Sequence, residues 1–175
     1  MSLTYGSLFS GIGGIDLGLD RAGFTPLWQS EIDPYASRVL AKHWPHVPNL
    51  GDITTIDWST VERPDLICGG YPCQPFSTAG KGAGFDDGRR LWPVFGNLIR
   101  ERRPATVFGE QVASKAVDTW IDLVHADLES MGYAFGSVPF SSASIGAPHI
   151  RDRNYWMGVA DSEGLQRYGR SVEIN

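Results

Sequence analysis

The chain has 175 residues, enough for one domain with a core of its own. Its net charge of -5 argues against a self-sufficient nucleic-acid-binding protein, which usually presents a basic face. No apolar run approaches the roughly 20 residues of a membrane span, and the N-terminus lacks a signal-peptide pattern, so we expect a cytoplasmic protein. The two cysteines, Cys68 and Cys73, fit no zinc pattern, and a disulfide between them is not expected in that compartment.

Strands and helices are predicted to alternate along the chain. Strands are expected at residues 3–9, 26–30, 47–50, 66–68, 104–108, 133–138 and 154–159. Helices are expected at residues 15–22, 34–43, 92–101 and 116–131, and Asp33-Pro34 has the cap-then-proline pattern of a helix start. This order predicts an α/β fold built on a mostly parallel, doubly wound sheet.

A glycine-rich turn, Phe9-Ser-Gly-Ile-Gly-Gly14, joins the first strand to the first helix. The dinucleotide pattern G-x-G-x-x-G would need glycine where Asp16 stands, which weakens a pyrophosphate-binding interpretation. Glu31, at the tip of the second strand, can accept hydrogen bonds from ribose hydroxyls, and Asp52, after the third, from an adenine amino group. Together they favour an adenosine ligand without phosphates over the alternative, a tight turn with surface acids.

Cys73 stands where an α/β sheet places its chemistry, just beyond the predicted fourth strand. Pro72 and Pro75 constrain the backbone on either side of the thiol. The alternative is a buried, inert thiol, the commoner fate of cysteines and the one we assign to Cys68. After Cys73, glycines at 80, 82, 84 and 88 predict a lid, or else a surface loop, over residues 76–91.

Two later segments end near the same edge of the predicted sheet. Glu110 ends the strand expected beside that of Cys68, so its carboxylate can reach the mouth where Cys73 lies. Arg151 and Arg153 precede the last strand and offer two guanidinium groups. The only dense basic cluster in this acidic chain is at residues 100–103, at the end of the third predicted helix.

In order, these residues read Phe9-x-Gly-x-Gly-Gly14, Glu31, Gly51-Asp-Ile53, Gly70-x-Pro-Cys-Gln-Pro-Phe-Ser77, Glu110-Gln-Val112 and Arg151-x-Arg153. This set closely resembles the cytosine-C5 DNA methyltransferases over nearly the whole chain, and its Pro-Cys-Gln element is highly specific. The resemblance implies a seven-stranded, Rossmann-like sheet with an antiparallel last strand, and S-adenosylmethionine as cofactor.

The resemblance also implies residue roles. Cys73 attacks C6 of a flipped-out cytosine, Glu110 hydrogen-bonds the base, Arg153 holds it and Arg151 helps to position the site. Residues of the lid, Ser77, Lys81 and Arg89, would face DNA. The implied cofactor-binding residues are Phe9, Ser10, Gly11, Ile12, Gly13, Gly14, Glu31, Ile32, Asp52, Ile53, Pro72 and Leu91.

The chain departs from the family pattern in three places. Gln111 stands where asparagine is usual. His149 stands where glutamine is usual, and we interpret it as a hydrogen-bonding substitute rather than a catalyst. The family also continues with a target-recognition region and a final segment. We therefore predict a catalytic domain at residues 1–160 and the start of a linker at 161–175. A fragment, a split enzyme completed by a second polypeptide and a degenerate form all remain open.

The expected function is methyl transfer from S-adenosylmethionine to C5 of cytosine in double-stranded DNA, without a metal or a membrane, in a bacterium or a phage-infected bacterium. One alternative keeps the chemistry but changes the substrate to tRNA. The other is a non-catalytic, cofactor-binding subunit, which would leave Cys73, Glu110 and Arg153 unexplained.

Overall fold

The computed structural model describes residues 2–70, 87–113 and 115–161. The strands are β1 (Thr4–Leu8), β2 (Thr25–Ser30), β3 (Leu66–Gly70), β4 (Thr106–Val112), β5 (Tyr133–Ser141) and β6 (Asp152–Ala160). The α-helices are α1 (Gly14–Arg21), α2 (Pro34–His43), α3 (Asp87–Arg102) and α4 (Lys115–Ser130), with short 3₁₀ helices at Trp58–Thr60 and Ser142–Ile145. All four predicted helices are present, but α3 begins early, so residues 87–91 of the predicted lid are helical.

All these strands belong to one sheet with the order β2-β1-β3-β4-β6-β5. The first four in that order are parallel, whereas β6 runs antiparallel to both β4 and β5. The predicted mostly parallel sheet with an antiparallel last strand is confirmed. The carboxyl ends of the parallel strands and the amino end of β6 share one edge, where Glu110 lies beside Gly70 of β3 and opposite Tyr155 of β6.

Two details of the strand prediction are wrong. Residues 47–50 form only one parallel bridge, between Gln29 and Asn49, in place of a strand. Pro48 has no N–H to donate and Gly51 turns the chain at a φ of +76°, so the pairing cannot extend. In addition, β4 continues to Val112, which places Glu110 within the strand rather than at its end.

The main core lies on the face of the sheet that carries α3 and α4. Trp92 and Phe95 of α3 and Leu128 of α4 are buried with Trp156 of β6 in one apolar cluster. The ring centroid of Trp156 lies 6.2 Å from that of Trp92 and 6.4 Å from that of Phe95. These edge-to-face and tilted contacts give the strands of the site a rigid support.

The opposite face is covered only in part. Ile15 and Leu19 of α1 pack over β1 and β3. Further along, Val138, Phe140, Met157 and Val159 are 56%, 38%, 42% and 46% exposed, and we call these four residues the uncovered face. Mostly parallel sheets normally bury both faces, so this surface is unusual for the fold. Among the helices described, none is long and apolar enough to cross a membrane.

Candidate active site

The turn between β1 and α1 opens its backbone toward the edge of the sheet. Phe9, Gly11 and Gly13 have φ values of 51°, 56° and 85°. A side chain on Gly13 would meet the Trp44 ring at 2.3 Å, whereas one on Gly11 or Gly14 would meet nothing within 4 Å. A non-glycine residue with positive φ, as at Phe9, often marks a functional turn. The turn therefore forms an open cradle that a ligand can approach.

Glu31 lies directly after β2, and backbone donors hold both oxygens of its carboxylate. Gly11 N donates to Oε2 at 2.7 Å, and Asp33 N donates to Oε1 at 2.7 Å. Glu31 thus ties the glycine-rich turn to the start of α2. Each carboxylate oxygen can accept a further bond, so both can still receive ribose hydroxyls.

Asp52 shapes its own turn. Its Oδ1 accepts hydrogen bonds from Thr54 N at 2.9 Å and Thr54 Oγ1 at 2.7 Å. These bonds hold the pKa of Asp52 below its usual value and keep the side chain ionised. Among the residues that the structure describes, Oδ2 has no hydrogen-bond partner, so it is open to a donor such as an amino group.

A cavity of about 280 Å³ brings many of the predicted cofactor residues together. Aromatic and aliphatic side chains form its walls and two carboxylates face into it, and its lining includes Phe9, Glu31, Ile32, Asp52, Ile53 and Leu91. This combination fits an adenosine, which has a flat apolar base and hydroxyls that donate hydrogen bonds. Ile12, in contrast, is 62% exposed, so most of its side chain faces solvent.

A larger groove of about 680 Å³ adjoins this cavity, and Phe9 and Gly70 line both. The groove runs between α1 and β4, and its lining includes Ser7, Ser10, Gly14, Phe108, Glu110 and Tyr155. The Phe108 and Tyr155 rings stack with centroids 6.0 Å apart. Sequence reasoning missed Ser7, Phe108 and Tyr155. The only signal was the two-residue alternation that puts Phe108 and Glu110 on one face of β4.

Glu110 and Arg153 form an ion pair across β4 and β6. Arg153 Nε lies 2.5 Å from Glu110 Oε1, and the side chains are 16% (Arg153) and 24% (Glu110) exposed. Burial raises the pKa of Glu110, while the positive charges of Arg153 and Arg151 oppose that rise. The arrangement presents a carboxylate and a guanidinium side by side at the mouth of the groove.

The predicted nucleophile, Cys73, lies outside the described residues, as do Pro72, Ser77 and Lys81. The strand that leads to Cys73, β3, ends at Gly70 beside Glu110. Cys68 is fully buried in β3, and burial raises the pKa of its thiol. The assignment of Cys68 to the core is therefore confirmed.

The basic segment at residues 100–103 lies at the carboxyl end of α3, away from this edge of the sheet. Arg63 Nε and Nη2 donate to the Arg102 carbonyl oxygen at 3.0 and 2.7 Å. Arg102 donates to the carbonyl of Val61, and Arg103 to that of Met131. These guanidinium groups satisfy backbone carbonyls at helix ends.

The family model of the C-5 cytosine-specific DNA methylases matches residues 3–173. The chain belongs to this family.

Individual relatives agree with that membership. The type II methyltransferase M.HhaI of Haemophilus parahaemolyticus is 31% identical over an alignment of 179 positions. The alignment covers 99% of this chain and 54% of that protein. A solved E. coli prophage protein, described as a candidate DNA modification methyltransferase, matches with a TM-score of 0.76 and 27% identity, over 94% of this chain and 48% of that one. Spodoptera frugiperda DNMT2 matches with a TM-score of 0.77 at 20% identity over 92% of this chain and 51% of that one, which shows the fold alone. The chain spans about half the length of these proteins.

Two departures from the family pattern can be located in the structure. Gln111 is buried on β4, and its Oε1 accepts a hydrogen bond from Val112 N at 3.0 Å. His149 is exposed in the loop before β6, so its predicted role as a hydrogen-bonding substitute stays a prediction. Within the described ranges, no group of three His, Cys, Asp or Glu side chains could hold a metal ion.

Proposed function

We propose that residues 1–160 are the catalytic domain of a DNA (cytosine-5-)-methyltransferase. The observation that carries this proposal is the Glu110–Arg153 ion pair in a groove that adjoins the Glu31 cavity. A carboxylate and a guanidinium together complement the donor and acceptor groups along one edge of cytosine. Gly70 lies next to Glu110 and precedes Cys73 by three residues in the sequence, so the proposed nucleophile follows the strand that pairs with the strand of Glu110.

The cavity supports S-adenosylmethionine as the cofactor. Glu31 and Asp52 would bind the ribose and the adenine amino group, and Phe9, Ile53 and Leu91 would contact the apolar parts. The open backbone at Gly11 and Gly14 leaves room for the remainder. When bound, the cofactor supplies an electrophilic methyl group on a positively charged sulfur.

The chain's own residues would activate the base, which must leave the DNA stack to be reached. The Cys73 thiolate bonds to C6 and pushes an electron pair toward C5 and N3. Glu110 accepts a hydrogen bond from the amino group and, in its protonated form, donates one to N3, and Arg153 holds the base in place. After C5 has gained a methyl group, loss of its proton and release of the thiolate restore the aromatic ring.

A further polypeptide segment would complete the enzyme. The chain spans about half the length of the relatives it matches, and the four residues of the uncovered face stand exposed on a sheet that normally buries both sides. We place a completing segment on that face, within one chain or on a second polypeptide, with residues 161–175 as the start of the link. The proposed setting is the cytoplasm of a bacterium, as for the named bacterial relative, or of a phage-infected bacterium.

Covalent trapping on mixed-sequence duplex DNA that contains 5-fluorocytosine tests the function. With cytosine, the hydrogen on C5 is lost as a proton before the thiolate is released. Fluorine on C5 cannot be lost as a cation in this way, so the protein–DNA adduct persists. We expect the adduct with the natural chain and with Cys68→Ala, the matched thiol control, and none with Cys73→Ala. Trapping by Cys73→Ala would refute the nucleophile assignment, and trapping on tRNA in place of DNA would refute the substrate. Cofactor binding without trapping would show that the completing segment is required.

A further inference from the structure

Asp16 is a buried acid that the proposed chemistry does not use. It lies in the first turn of α1 and is 0% exposed. Its Oδ1 accepts a hydrogen bond from Gln29 Nε2 at 2.8 Å, and its Oδ2 accepts one from Ser7 Oγ at 3.0 Å. Both partners are neutral, and within residues 2–70, 87–113 and 115–161 no cation forms an ion pair with Asp16. A buried carboxylate without a cationic partner is rare, because burial disfavours the charged form.

The groups around Asp16 add no positive charge. Asp20 lies one turn further along α1, Tyr5 faces it from β1 and Cys68 faces it from β3. Burial and the like charge of Asp20 raise the pKa of Asp16 above its usual value, whereas the bonds from Gln29 and Ser7 oppose that rise. Two hydrogen-bond donors and a place in the first turn of a helix both favour the ionised carboxylate.

Asp16 is separated from the groove by a single hydroxyl group. Ser7, whose hydroxyl donates to Asp16, is itself part of the groove lining. The groove adjoins the Glu31 cavity through Phe9 and Gly70 and continues to Glu110. A methyl donor that extends from the cavity toward Glu110 would lie along a groove whose lining includes Ser7, the hydrogen-bond partner of Asp16.

We propose that Asp16 is a specificity-determining residue of the cofactor site, whose buried carboxylate favours the cationic methyl donor over its neutral demethylated product. This inference rests on the proposed function. S-adenosylmethionine and S-adenosylhomocysteine differ in the methyl group and in the positive charge on sulfur, so a nearby fixed negative charge acts on one of them only. By Coulomb's law at an effective dielectric constant of about 20, a unit negative charge on the order of 10 Å from the sulfur would change the ratio of affinities roughly tenfold.

Asp16→Asn tests the proposal because it removes the charge and keeps the shape. The asparagine Oδ1 can accept from Gln29, and its Nδ2 can donate to Ser7 Oγ, so the variant should fold. Titration calorimetry with both ligands should show that S-adenosylmethionine binds about tenfold more weakly to Asp16→Asn, with little change for S-adenosylhomocysteine. Asp57→Asn is the matched control, since Asp57 also accepts two bonds at a turn, from Ser59, but is exposed.

The ratio of the two dissociation constants decides the outcome. An unchanged ratio in Asp16→Asn, or an equal loss of both ligands, would overturn the proposal, since a purely structural role affects both alike. A cationic analogue with an amine in place of the methylated sulfur should follow S-adenosylmethionine. If the natural chain bound neither ligand, the proposed function itself would fail, which separates the two conclusions.

Discussion

The ionisation of Glu110 depends on burial, which raises its pKa, and on Arg153, which lowers it. The two groups touch across β4 and β6, and the guanidinium opposes the effect of burial on the carboxyl group. An incoming base would have to share both partners. Its approach therefore changes the protonation of Glu110 as well as its contacts.

Removal of the Arg153 charge should raise the pKa of Glu110 further. Arg153→Gln takes away both the largest opposing charge and a hydrogen bond, whereas Arg151→Gln takes away a charge alone. A carbon-detected NMR titration of the Glu110 carboxyl should show a larger rise for Arg153→Gln than for Arg151→Gln. The protonated fraction near neutral pH would then increase. Equal shifts in the two variants would contradict the ion pair.

Glu31→Gln should damage the cofactor site even though the shape is kept. The amide nitrogen would face a backbone N–H, at Gly11 or at Asp33, so one of two bonds would become a donor–donor contact. Loss of a bond to a charged group costs about 1.5–3 kcal/mol, so S-adenosylhomocysteine should bind at least tenfold more weakly by calorimetry. Glu129→Gln, at an exposed site late in α4, should leave binding unchanged.

Sequence reasoning placed at the edge of the sheet the residues that follow extended segments. It missed the residues whose position in the groove depends on which strands pair. Glu31 follows the end of β2 and Asp52 follows the bridge at Asn49, and this spacing puts both at the edge of the sheet. Ser7, Phe108 and Tyr155 lie within strands, and their shared groove depends on the order of β1, β4 and β6. No local pattern encodes that order. For the same reason, the partners of Asp16 could not be predicted.

At the level of strands, two glycines make room for tryptophans of the neighbouring strand. Gly6 pairs directly with Trp28, and Gly109 pairs directly with Trp156. A Cβ on either glycine would lie within 2.2 Å of the indole ring opposite. Each indole packs directly over the backbone of a glycine that has no side chain. This contact lets β2 and β6 pack tightly on either side of the site.

Gly109→Ala should therefore destabilise the fold. Its Cβ would meet Trp156 at 2.1 Å, and the indole cannot move away within its packed cluster. We expect a loss of about 1–3 kcal/mol in the free energy of unfolding, measured in urea. Gly136→Ala is the matched control in β5, where a Cβ would meet nothing within 4 Å. A similar loss in both variants would point to a general effect of glycine replacement.

The elements themselves were largely predictable from local signals. Asp33 caps α2, with its Oδ1 accepting from Tyr35 N and Ala36 N, as the Asp33-Pro34 pair predicted. A strand was wrongly predicted at residues 47–50 because the apolar residues of this segment are typical of a strand. Pro48 removes a donor there, and only tertiary context could show that a single bridge remains.

For the molecule as a whole, the net charge and the uncovered face both favour the proposal that a further segment completes the enzyme. The net charge is -5, and Arg63, Arg102 and Arg103 donate to backbone carbonyls near the ends of α3 and α4. Within the part of the chain that the structure describes, the half of the sheet built from β4, β6 and β5 has no helix on one side. A chain with this surface gains stability from a partner that covers it.

Val159→Ser should reduce the binding of an apolar dye and cost little stability. Val159 is 46% exposed on the uncovered face, so less than about 0.5 kcal/mol should be lost. The same change at Val107, which is 0% exposed on the adjacent strand, should cost about 2–4 kcal/mol. Fluorescence of the dye 8-anilinonaphthalene-1-sulfonate and urea unfolding measure both quantities. Unaltered fluorescence in Val159→Ser would mean that the face is covered in solution.

The position of β6 has a consequence for the order in which the protein is made. Among the strands that the structure describes, β6 is the last in the sequence but lies between β4 and β5 in the sheet, and β5 pairs with β6 alone. As the chain leaves the ribosome, β4 and β5 emerge before the strand that joins them. Glu110 therefore has no ion pair with Arg153 until β6 is synthesised and inserts between β4 and β5. A stalled or truncated nascent chain carries the acid without its arginine, so the proposed base site could form only when synthesis has passed Ala160.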